Sequence, residues 1–427
     1  MIDLRMIREH PDEVRAAIAT LNTPAPIDEI LGLDEQRRAG LAEVEELKAK
    51  RNAGSKEISR LPAGPEKVTR ITEMRTLGDR IKALDAVLAD TDAALSALLL
   101  QVPNLPDPDV PVGPDESANV IVRHWGEPRE FEFTVRPHWE VAEELGLIDF
   151  ARGVKVAGSR FYFLRGDLAR LQRALATWML ELHVREHGYF EVYPPMLVRS
   201  DALVGTGNLP KFGDALYTDS QSDLWLIPTA EVPVTNLHRE EILEAGTLPR
   251  YYVAQSTCFR REQLSAGRDV RGIKRVHQFE KVEMVKIVEP DTSDAELHSL
   301  LANAEDVLQR LHLPYRVVQM CTGDLSFTSS KKFDLETWAP GSQDWLEVSS
   351  CSNFRDFQAR RAGIRYRPAE GERPQYAHTL NGSGLALPRT LIAIMENYQR
   401  PDGSFEVPEV LRPYLGGQEV IGRQPSA

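Results

Sequence analysis

Cysteine is nearly absent from this chain. Its 427 residues include three cysteines, Cys258, Cys321 and Cys351, and no two of them have CxxC spacing. That number and spacing argue against a disulfide framework and against a zinc ribbon. Unlinked thiols instead fit a protein of a reducing, intracellular compartment, so we expect a cytoplasmic location.

Long apolar runs are absent as well. A membrane-spanning helix needs about 18 or more consecutive apolar residues, and no stretch of the sequence approaches that length. The first residues, MIDLRMIREHPDEV, are charged and amphipathic and lack the apolar segment of a signal peptide. We therefore expect neither a signal peptide nor a membrane span.

The common nucleotide and metal motifs are missing too. The sequence has no GxxxxGK[ST] phosphate loop and no HExxH pattern, and NGSGLA at 381–386 is only a fragment of a glycine-rich fingerprint. If the chain binds a nucleotide, arginines and carboxylates must hold it. We expect no zinc site.

The bulk composition is that of a large, acidic, globular protein. The chain is 42% hydrophobic and carries a formal net charge of −13. Its length exceeds that of one compact domain, so we expect two. An acidic chain is a poor general binder of nucleic acid, although a local basic surface can still contact a polyanion.

A long helical hairpin is predicted over about 34–98. Both arms are rich in good helix formers and are separated by the breaker LPAGPE at 61–66. Heptad spacing of 3 and 4 predicts a coiled coil, and in the second arm it joins Met74, Leu77, Ile81, Leu84, Leu88, Thr91, Leu95 and Leu98. The looser partner seam of the first arm consists of Leu41, Val44, Leu47, Ile58 and Leu61. A short turn makes the two helices antiparallel.

The outer half of this hairpin is basic. Between Lys48 and Lys82 there are ten basic and four acidic residues, a balance of +6. A packing or dimerisation element is one interpretation of the hairpin. The charge favours a second, contact with a nucleic-acid backbone, since a merely solvated helix face more often mixes both signs.

The rest of the chain predicts an α+β domain. A segment with five prolines, 101–117, is interpreted as a linker. Strands are predicted at 161–164, 224–227, 251–254, 276–288, 315–320 and 345–348, and long helices at 167–187, 293–312 and 384–399. Because strands outnumber crossover helices, we expect a mostly antiparallel sheet flanked by helices.

A basic segment, FRREQLSAGRDVRGIKRVHQFEKVEMVKI at 259–287, interrupts the acidic sequence. It has eight Lys and Arg against four acids. Arg260 and Glu262 are expected on one face of a strand, where an arginine suits a phosphate and a carboxylate suits an exocyclic amine. If these two residues were considered alone, a surface ion pair would be the alternative interpretation.

Three further motifs accompany this segment in order. LIPTAEVPVTN is predicted to place Thr229 and Glu231 on one face of a strand, suited to an α-ammonium group. EVSSCSN supplies Glu347 and clustered hydroxyls, and HTLNGSGLALPR leads into a helix that contains Arg389. Each motif alone is weak, but the four in this order are specific.

The chain resembles the bacterial-type seryl-tRNA synthetases, which are class II aminoacyl-tRNA synthetases. The resemblance runs from the MIDLRMIREHP start, through the hairpin and VPNLPDPDVPVG, to ENYQ and GSFEVPEVLRPY. It implies a tRNA-binding domain at 1–100, a linker at 101–117 and a catalytic domain at 118–427. Within the last, motifs 1, 2 and 3 would span about 167–199, 251–287 and 378–399.

The resemblance also implies the site residues. The catalytic pair would be Arg260 and Arg389. ATP would be bound by Arg260, Arg261, Glu262, Val276, Phe279, Glu347, Val348, Ser349, Ser350 and Arg389, with Mg²⁺ on Glu347 and Ser350. Serine would be bound by Thr229, Ala230, Glu231, Arg260, Glu283, Asn381 and Ser383. Contacts to tRNA would come from Lys48, Arg51, Lys56, Arg60, Lys67, Arg70, Arg75, Arg268 and Arg271.

The partners it implies are ATP, L-serine, tRNA(Ser) and, where such a tRNA exists, tRNA(Sec), with a homodimer formed through motif 1. The sequence departs from the family pattern at Gln263–Leu264, Val270, Phe354 and Pro388. Three alternatives are disfavoured by the sequence. A ligase that loads a carrier protein should lack the long arm, and an inactive homologue serving as an interaction protein should have lost Arg260, Glu262, Glu347 or Arg389, all of which are present. An unrelated ATP-binding protein with a structural coiled coil would not account for four motifs in this order.

Overall fold

A computed structural model describes residues 1–262 and 271–423. The chain divides into two compact units, one of Met1–Ala19 with Thr23–Pro103 and one of Thr20–Asn22 with Asn104–Ala427. The domain limits expected from the resemblance, including a separate linker at 101–117, stay predictions.

The first unit is helical and contains the predicted hairpin. Its helices are α1 (Leu4–Glu9), α2 (Pro11–Ala19), α3 (Ile27–Arg60) and α4 (Pro65–Leu99). Helix α3 begins seven residues before the predicted start, because Ile27 and Ile30 are buried and extend its apolar stripe. Pro65 occupies the first turn of α4, where its missing N–H costs nothing.

The heptad of α4 is the face that packs on α3. Ile81, Leu88 and Leu95 are buried, and the other five predicted positions are at least half-buried, while most side chains between them are exposed. Side chains of this stripe meet Val44 and Leu47 of α3. The coiled-coil arm is therefore confirmed.

The seam of α3 differs from the predicted one. Leu41 is 38% exposed, and the neighbouring Gly40 faces Leu88 instead. At Gly54 an added Cβ would lie 2.4 Å from the Met74 sulfur. Two glycines thus occupy seam positions where the sequence shows no apolar residue, and they let the helices approach closely.

The second unit is built on a sheet that has eight strands in the described residues, in the order β1-β10-β11-β12-β15-β9-β8-β4. All neighbouring pairs are antiparallel except β4 with β8, which confirms the predicted fold class. The strands of the unit are β1 (Val120–Trp125), β2 (Ile148–Asp149), β3 (Phe163–Leu164), β4 (Phe190–Glu191), β5 (Leu197–Val198), β6 (Trp225–Leu226), β7 (Ile242–Leu243), β8 (Arg250–Phe259), β9 (Gln278–Val288), β10 (Tyr315–Gln319), β11 (Lys331–Ala339), β12 (Asp344–Asn353), β13 (Arg365–Tyr366), β14 (Gln375–Tyr376), β15 (His378–Ala386), β16 (Phe405–Glu406) and β17 (Val420–Ile421).

Helices cover this sheet and form the main core with it. They are α5 (His138–Glu144), α6 (Phe150–Ala157), α7 (Gly166–Arg185), α8 (Ser200–Thr206), α9 (Glu231–Thr235), α10 (Ser293–Arg310), α11 (Phe357–Ala362) and α12 (Leu387–Asn397). Leu175, Leu300 and Leu391 from three of them are fully buried in one cluster with strand residues. Among the described residues no helix is both long and apolar enough to cross a membrane.

Two pairs of residues that were expected on a strand face lie beyond the end of the strand. Strand β6 ends at Leu226, and Glu231 begins the short helix α9, so Thr229 and Glu231 do not share a strand face. Strand β8 ends at Phe259, and Glu262 has a positive φ of 49°. The prediction that Arg260 and Glu262 lie on one strand face was wrong, because the strand ends before Arg260 and the backbone of Glu262 leaves the extended conformation.

The hairpin seam allows a stability test. We expect Ile81→Ala to cost about 2–4 kcal/mol, because it leaves a cavity at a site only 3% exposed. Val87→Ala in the same helix removes a side chain that is 60% exposed and should change stability by less than about 0.5 kcal/mol. Urea unfolding followed by helical circular dichroism measures both, and equal effects of the two variants would contradict the seam.

Candidate active site

A cavity of about 610 Å³ lies in the sheet unit, beside β8, β9, β12, β15 and the start of α12. Most of the residues that the sequence nominated for ATP or serine line it. They are Thr229, Glu231, Arg260, Glu262, Val276, Phe279, Glu347, Val348, Ser349, Ser350, Asn381, Ser383 and Arg389. Residues far apart in the chain therefore meet at one place.

Arg260 lies where β8 ends and is held by the backbone. Its own N–H donates to the carbonyl of His277 at 2.9 Å, and its side-chain Nε donates to the carbonyl of Pro228 at 3.2 Å. The guanidinium carbon lies 5.2 Å from the centre of the Phe279 ring. An aromatic face and a cationic fork are thus adjacent in the wall.

Arg389 is fixed by its place in the first turn of α12. Its terminal nitrogen donates to the Glu347 carbonyl at 2.6 Å and lies 3.5 Å from the Glu347 carboxylate, while Nε reaches the carbonyl of Lys274 at 3.4 Å. Burial acts to raise the pKa of Glu347, but the charges of Arg389 and Lys332 outweigh it, so this pKa lies below its ordinary value. Glu347 is therefore ionised at neutral pH.

A second charged pair stands beside Glu347. Lys332 and Asp334 alternate along β11, and the Lys332 nitrogen lies 3.2 Å from the Asp334 carboxylate. Burial and the charge of Glu347 raise the pKa of Asp334 to about 7, although Lys332 opposes the shift. With Arg260 and Arg389, Lys332 gives this part of the cavity three cationic side chains, which suits a polyanion such as a polyphosphate.

Two carboxylates, the partly buried Glu231 and the buried Glu283, share one amide in another part of the cavity. The Asn381 side-chain nitrogen donates to Glu231 at 2.9 Å and to Glu283 at 2.8 Å. Gln358 donates to the second oxygen of Glu231 at 2.6 Å, and Lys281 pairs with Glu283 at 2.6 Å. Every one of these groups is held by another, so the cluster is rigid.

The Glu231 carboxyl group changes its charge near neutral pH. Burial of its carboxylate and the neighbouring charge of Glu283 raise the pKa of Glu231 to about 7, against the opposing hydrogen bond from Gln358. The Glu231 backbone N–H donates to the Thr229 hydroxyl at 3.2 Å, which fixes the first turn of α9. A buried, half-ionised carboxylate of this kind marks a candidate site for a small cation.

Three of the residues nominated for ATP or serine do not line the cavity. The Arg261 guanidinium lies over the Tyr217 ring at 5.1 Å, and Ala230 is fully buried. Glu283 is 1% exposed and stands behind Asn381 and Lys281. Glu283 would therefore act on a ligand chiefly through Asn381 unless the cluster rearranges.

Sequence reasoning missed several lining or supporting residues. Lys281 and Lys332 lie in the wall, and Gln358 holds Glu231 from behind. Phe327 and Phe354 also line the cavity. The alternation of Lys332 and Asp334 in KKFD was the one signal available, because the others depend on pairings between distant segments.

The proposed metal ligands supply oxygen atoms only. The Glu347 carboxylate and the Ser350 hydroxyl line the same cavity, and no group of three or more His, Cys, Asp or Glu residues that could hold a metal occurs in residues 1–262 and 271–423. One ionised carboxylate and one hydroxyl fit a cation such as Mg²⁺, which prefers oxygen and keeps ligands from water and phosphate.

The residues nominated for tRNA contact lie mainly on the hairpin surface. Lys48, Lys56, Arg60, Arg70 and Arg75 are exposed. Arg51 and Lys67 are partly buried, Arg51 at a seam position, and Lys67 donates to the Leu61 carbonyl at the end of α3. Arg271 is exposed beside the cavity wall, whereas Arg268 lies outside the described residues.

Two family models match the chain. The seryl-tRNA synthetase N-terminal domain matches residues 1–106, and the class II tRNA synthetase core domain (G, H, P, S and T) matches residues 215–398. Each unit is thus matched in part, and the core match includes every nominated residue of the cavity.

Relatives match over the whole length. A serine–tRNA ligase of Thermomicrobium roseum is 76% identical, with 100% of this chain and 96% of the relative covered, and one of Roseiflexus castenholzii is 59% identical, with 99% and 100% covered. The crystal structure of the Pyrococcus horikoshii seryl-tRNA synthetase complexed with ATP superposes with a TM-score of 0.94 at 37% identity, covering 100% of both chains.

Proposed function

Because the chain belongs to the seryl-tRNA synthetase family, we propose that its cavity holds ATP and L-serine side by side. The activity is that of a serine–tRNA ligase. Serine and ATP give seryl-adenylate and pyrophosphate, and the seryl group then passes to the 3′ end of tRNA. One observation carries the assignment of the site: two groups of side chains meet in one cavity. They are the arginine-rich wall, with Arg260 and Arg389, and the carboxylate cluster of Glu231, Glu283 and Asn381.

The carboxylate cluster is the proposed serine site. Glu231 would pair with the serine ammonium group, with the Thr229 hydroxyl beside it, because a buried carboxylate gains most from a partner of opposite charge. Ser383 and Asn381 would contact the serine hydroxyl, with Glu283 fixing the Asn381 amide from behind. Ala230 shapes the backbone at this point and would contribute no polar side-chain contact.

The arginine-rich wall is the proposed ATP site. The Phe279 ring would stack on adenine, Glu262 would accept from the adenine amine, and Val276, Val348 and Ser349 would complete the wall. Arg260 would bind the α-phosphate and the serine carboxylate, and Arg389 the γ-phosphate. Arg261 would act at a distance, through its contact with the Tyr217 ring.

A divalent cation is implied by the class II reaction, and we propose Mg²⁺. Glu347 and Ser350 would hold it, since their oxygens fit its preference and the pKa of Glu347 lies below the ordinary value. When bound, the metal would neutralise charge on the phosphates.

The first step depends on position and charge rather than on a protein base. A serine carboxylate oxygen attacks the α-phosphorus, the bond to the bridging oxygen of pyrophosphate breaks, and pyrophosphate leaves with that electron pair. The nucleophile is already ionised at neutral pH, so no side chain must remove a proton. Arg260 would hold nucleophile and phosphate together, and the surrounding cations would stabilise the charge that develops.

Selection of serine would follow from the same cluster. Alanine lacks the hydroxyl and would leave buried polar groups unpaired, which a site of this type rejects by up to about 10⁴–10⁵. Threonine adds a methyl group and can be excluded only by size, a weaker filter of roughly 1–3 kcal/mol.

ATP–pyrophosphate exchange tests the serine site directly. We expect Glu283→Ala to lower serine-dependent kcat/KM by about tenfold or more, because the amide of Asn381 loses the charged acceptor that orients it. The KM for ATP should stay within about twofold. Glu283→Gln keeps the shape but not the charge. Its serine-dependent kcat/KM should lie between those of the wild type and Glu283→Ala. Unchanged serine-dependent exchange in Glu283→Ala would sink the assignment.

The pH dependence of serine binding tests Glu231. Because its pKa is raised to about 7, its carboxylate loses charge as the pH falls, and the ionised fraction drops about tenfold between pH 8 and pH 6. We expect the KM for serine to rise by about the same factor over that range, while the KM for ATP changes little. Glu231→Gln should bind serine poorly at both pH values, and a flat serine profile in the wild type would contradict the role.

The basic arm is the proposed tRNA contact. Its exposed lysines and arginines lie on a rigid coiled coil, and phosphate backbones are bound chiefly through such charges. We propose tRNA(Ser) as the substrate and, where it exists, tRNA(Sec). A ligase that loads a carrier protein would not need this arm, which disfavours that alternative.

Removal of the arm should separate the two steps. We expect replacement of residues 35–97 by a short Gly–Ser connector to spare serine-dependent pyrophosphate exchange and to abolish tRNA charging, because only the second step needs the arm. A milder variant, with Lys56, Arg60, Arg70 and Arg75 changed to Gln, should reduce charging and weaken its salt dependence. Normal charging by the deleted enzyme would require another role for the basic tip.

Motif 1 offers the proposed dimer face. Tyr193 is 88% exposed, Phe190 68% and Leu197 48%, and Pro195 beside them is exposed as well. Adjacent apolar side chains of this size on a surface indicate a contact with another protein. We propose a homodimer through this segment and, because charging of tRNA serves translation, a cytoplasmic location.

A further inference from the structure

A buried histidine joins two walls of the ATP site from outside the cavity. His138 opens α5 and is 2% exposed, although it belongs to none of the nominated motifs. Its two ring nitrogens face two different elements. One faces Glu396 of α12, and the other faces the backbone of Ile273, where the basic segment returns to the sheet.

The hydrogen bonds fix the direction of this contact. The Ile273 N–H donates to His138 Nε2 at 3.2 Å, so Nε2 must carry the lone pair. His138 Nδ1 then carries the hydrogen and donates to Glu396 Oε1 at 3.1 Å. The ring is therefore a neutral bridge with one acceptor and one donor in defined places.

Glu396 is committed entirely to holding this ring and its surroundings. It is fully buried and, besides the ring, accepts from the backbone N–H of His138 at 2.9 Å. It also accepts from the Ser342 hydroxyl at 2.7 Å and the Ser342 N–H at 2.9 Å. A buried carboxylate with four donors is a rigid anchor, because moving any one of them would leave a charge unsatisfied.

The same face of α12 carries Arg389. Positions 389 and 396 are seven residues apart, which is close to two turns of a helix. Arg389 contacts the carbonyl of Lys274, and Glu396 contacts the N–H of Ile273 through His138. One helix face thus fixes two consecutive residues of the returning segment.

Gly272 makes the close approach possible. Its φ is +73°, and an added Cβ would lie 2.0 Å from His138 Nε2. Only glycine both adopts this conformation readily and leaves room for the ring. The next four residues, 273–276, all line the cavity.

We propose that His138 is a positioning residue for ATP, which holds the 273–276 wall on α12 and so keeps it in register with Arg389. This inference rests on the proposed function of the cavity. The residue itself touches no reacting atom, so its loss should disturb ATP binding and leave the serine cluster, on the other side of the cavity, unchanged.

Two near-isosteric variants separate the two bonds of the ring. His138→Gln can place its amide oxygen near the position of Nε2 and keep the acceptor for Ile273. His138→Asn can keep only the donor to Glu396. We expect Asn to raise the KM for ATP roughly two- to tenfold, the range that a lost hydrogen bond of this kind implies, with the KM for serine unchanged. Gln should restore most of the loss.

Hydrogen–deuterium exchange gives a readout that does not depend on activity. The Ile273 amide should be protected in the wild type and in His138→Gln and should exchange faster in His138→Asn. Equal ATP KM values for Gln and Asn, a parallel rise in the serine KM, or unaltered Ile273 protection in Asn would each overturn the proposal. Wild-type enzyme without any serine-dependent exchange would instead refute the proposed function, so the two failures are distinguishable.

Discussion

Two carboxylates that share a single amide are the constraint around which the site is arranged. Glu231 and Glu283 would repel each other in a medium of low dielectric if nothing lay between them. Asn381 donates to both, and Gln358 and Lys281 hold them from the far sides. The remaining imbalance is negative, so the cluster has most to gain from a small cation. An α-ammonium group supplies that charge together with a carboxylate that Arg260 can bind.

Strand register explains how this cluster forms. Strands β9 and β15 pair antiparallel with Ser383 opposite Glu283. Asn381 is two residues from Ser383 and therefore on the same face, diagonal to Glu283 and within reach of its carboxylate. A slip of one residue would move Asn381 and Ser383 to the other face together. The long, mostly buried strands on both sides make such a slip costly, so the core of the sheet also protects the geometry of the site.

The sequence predicted two kinds of feature: local repeats such as the heptad, and residues that belong to the ordered motifs of a known family. The heptad of α4 was correct at all eight positions because apolar spacing alone defines it. The partner seam was not, since Gly40 and Gly54 matter there for the space they leave rather than for any apolar side chain. Thr229 and Glu231 do line the cavity, but they do not lie on the predicted strand face. A two-residue spacing suits a strand face, but Thr229 lies just before α9 and accepts a hydrogen bond from the Glu231 N–H.

Residues that matter only through contacts with distant parts of the chain could not be predicted from the sequence. Lys281, Gln358 and His138 each acquire a partner only when strands and helices far apart in the chain meet. His138 shows the reason most clearly, because nothing near it in the sequence suggests a contact with Ile273 or Glu396.

Charge is distributed unevenly along the chain. The chain as a whole is strongly acidic, and the stretch from Lys48 to Lys82 is basic, so the remainder is more acidic than the total. An acidic body disfavours indiscriminate contact with phosphate backbones, whereas a basic arm attracts them at one place. Inside the cavity the same separation recurs on a smaller scale, with cations around the proposed phosphate path and carboxylates around the proposed amine. If the arm contacts tRNA as proposed, charge would contribute to specificity as well as to affinity.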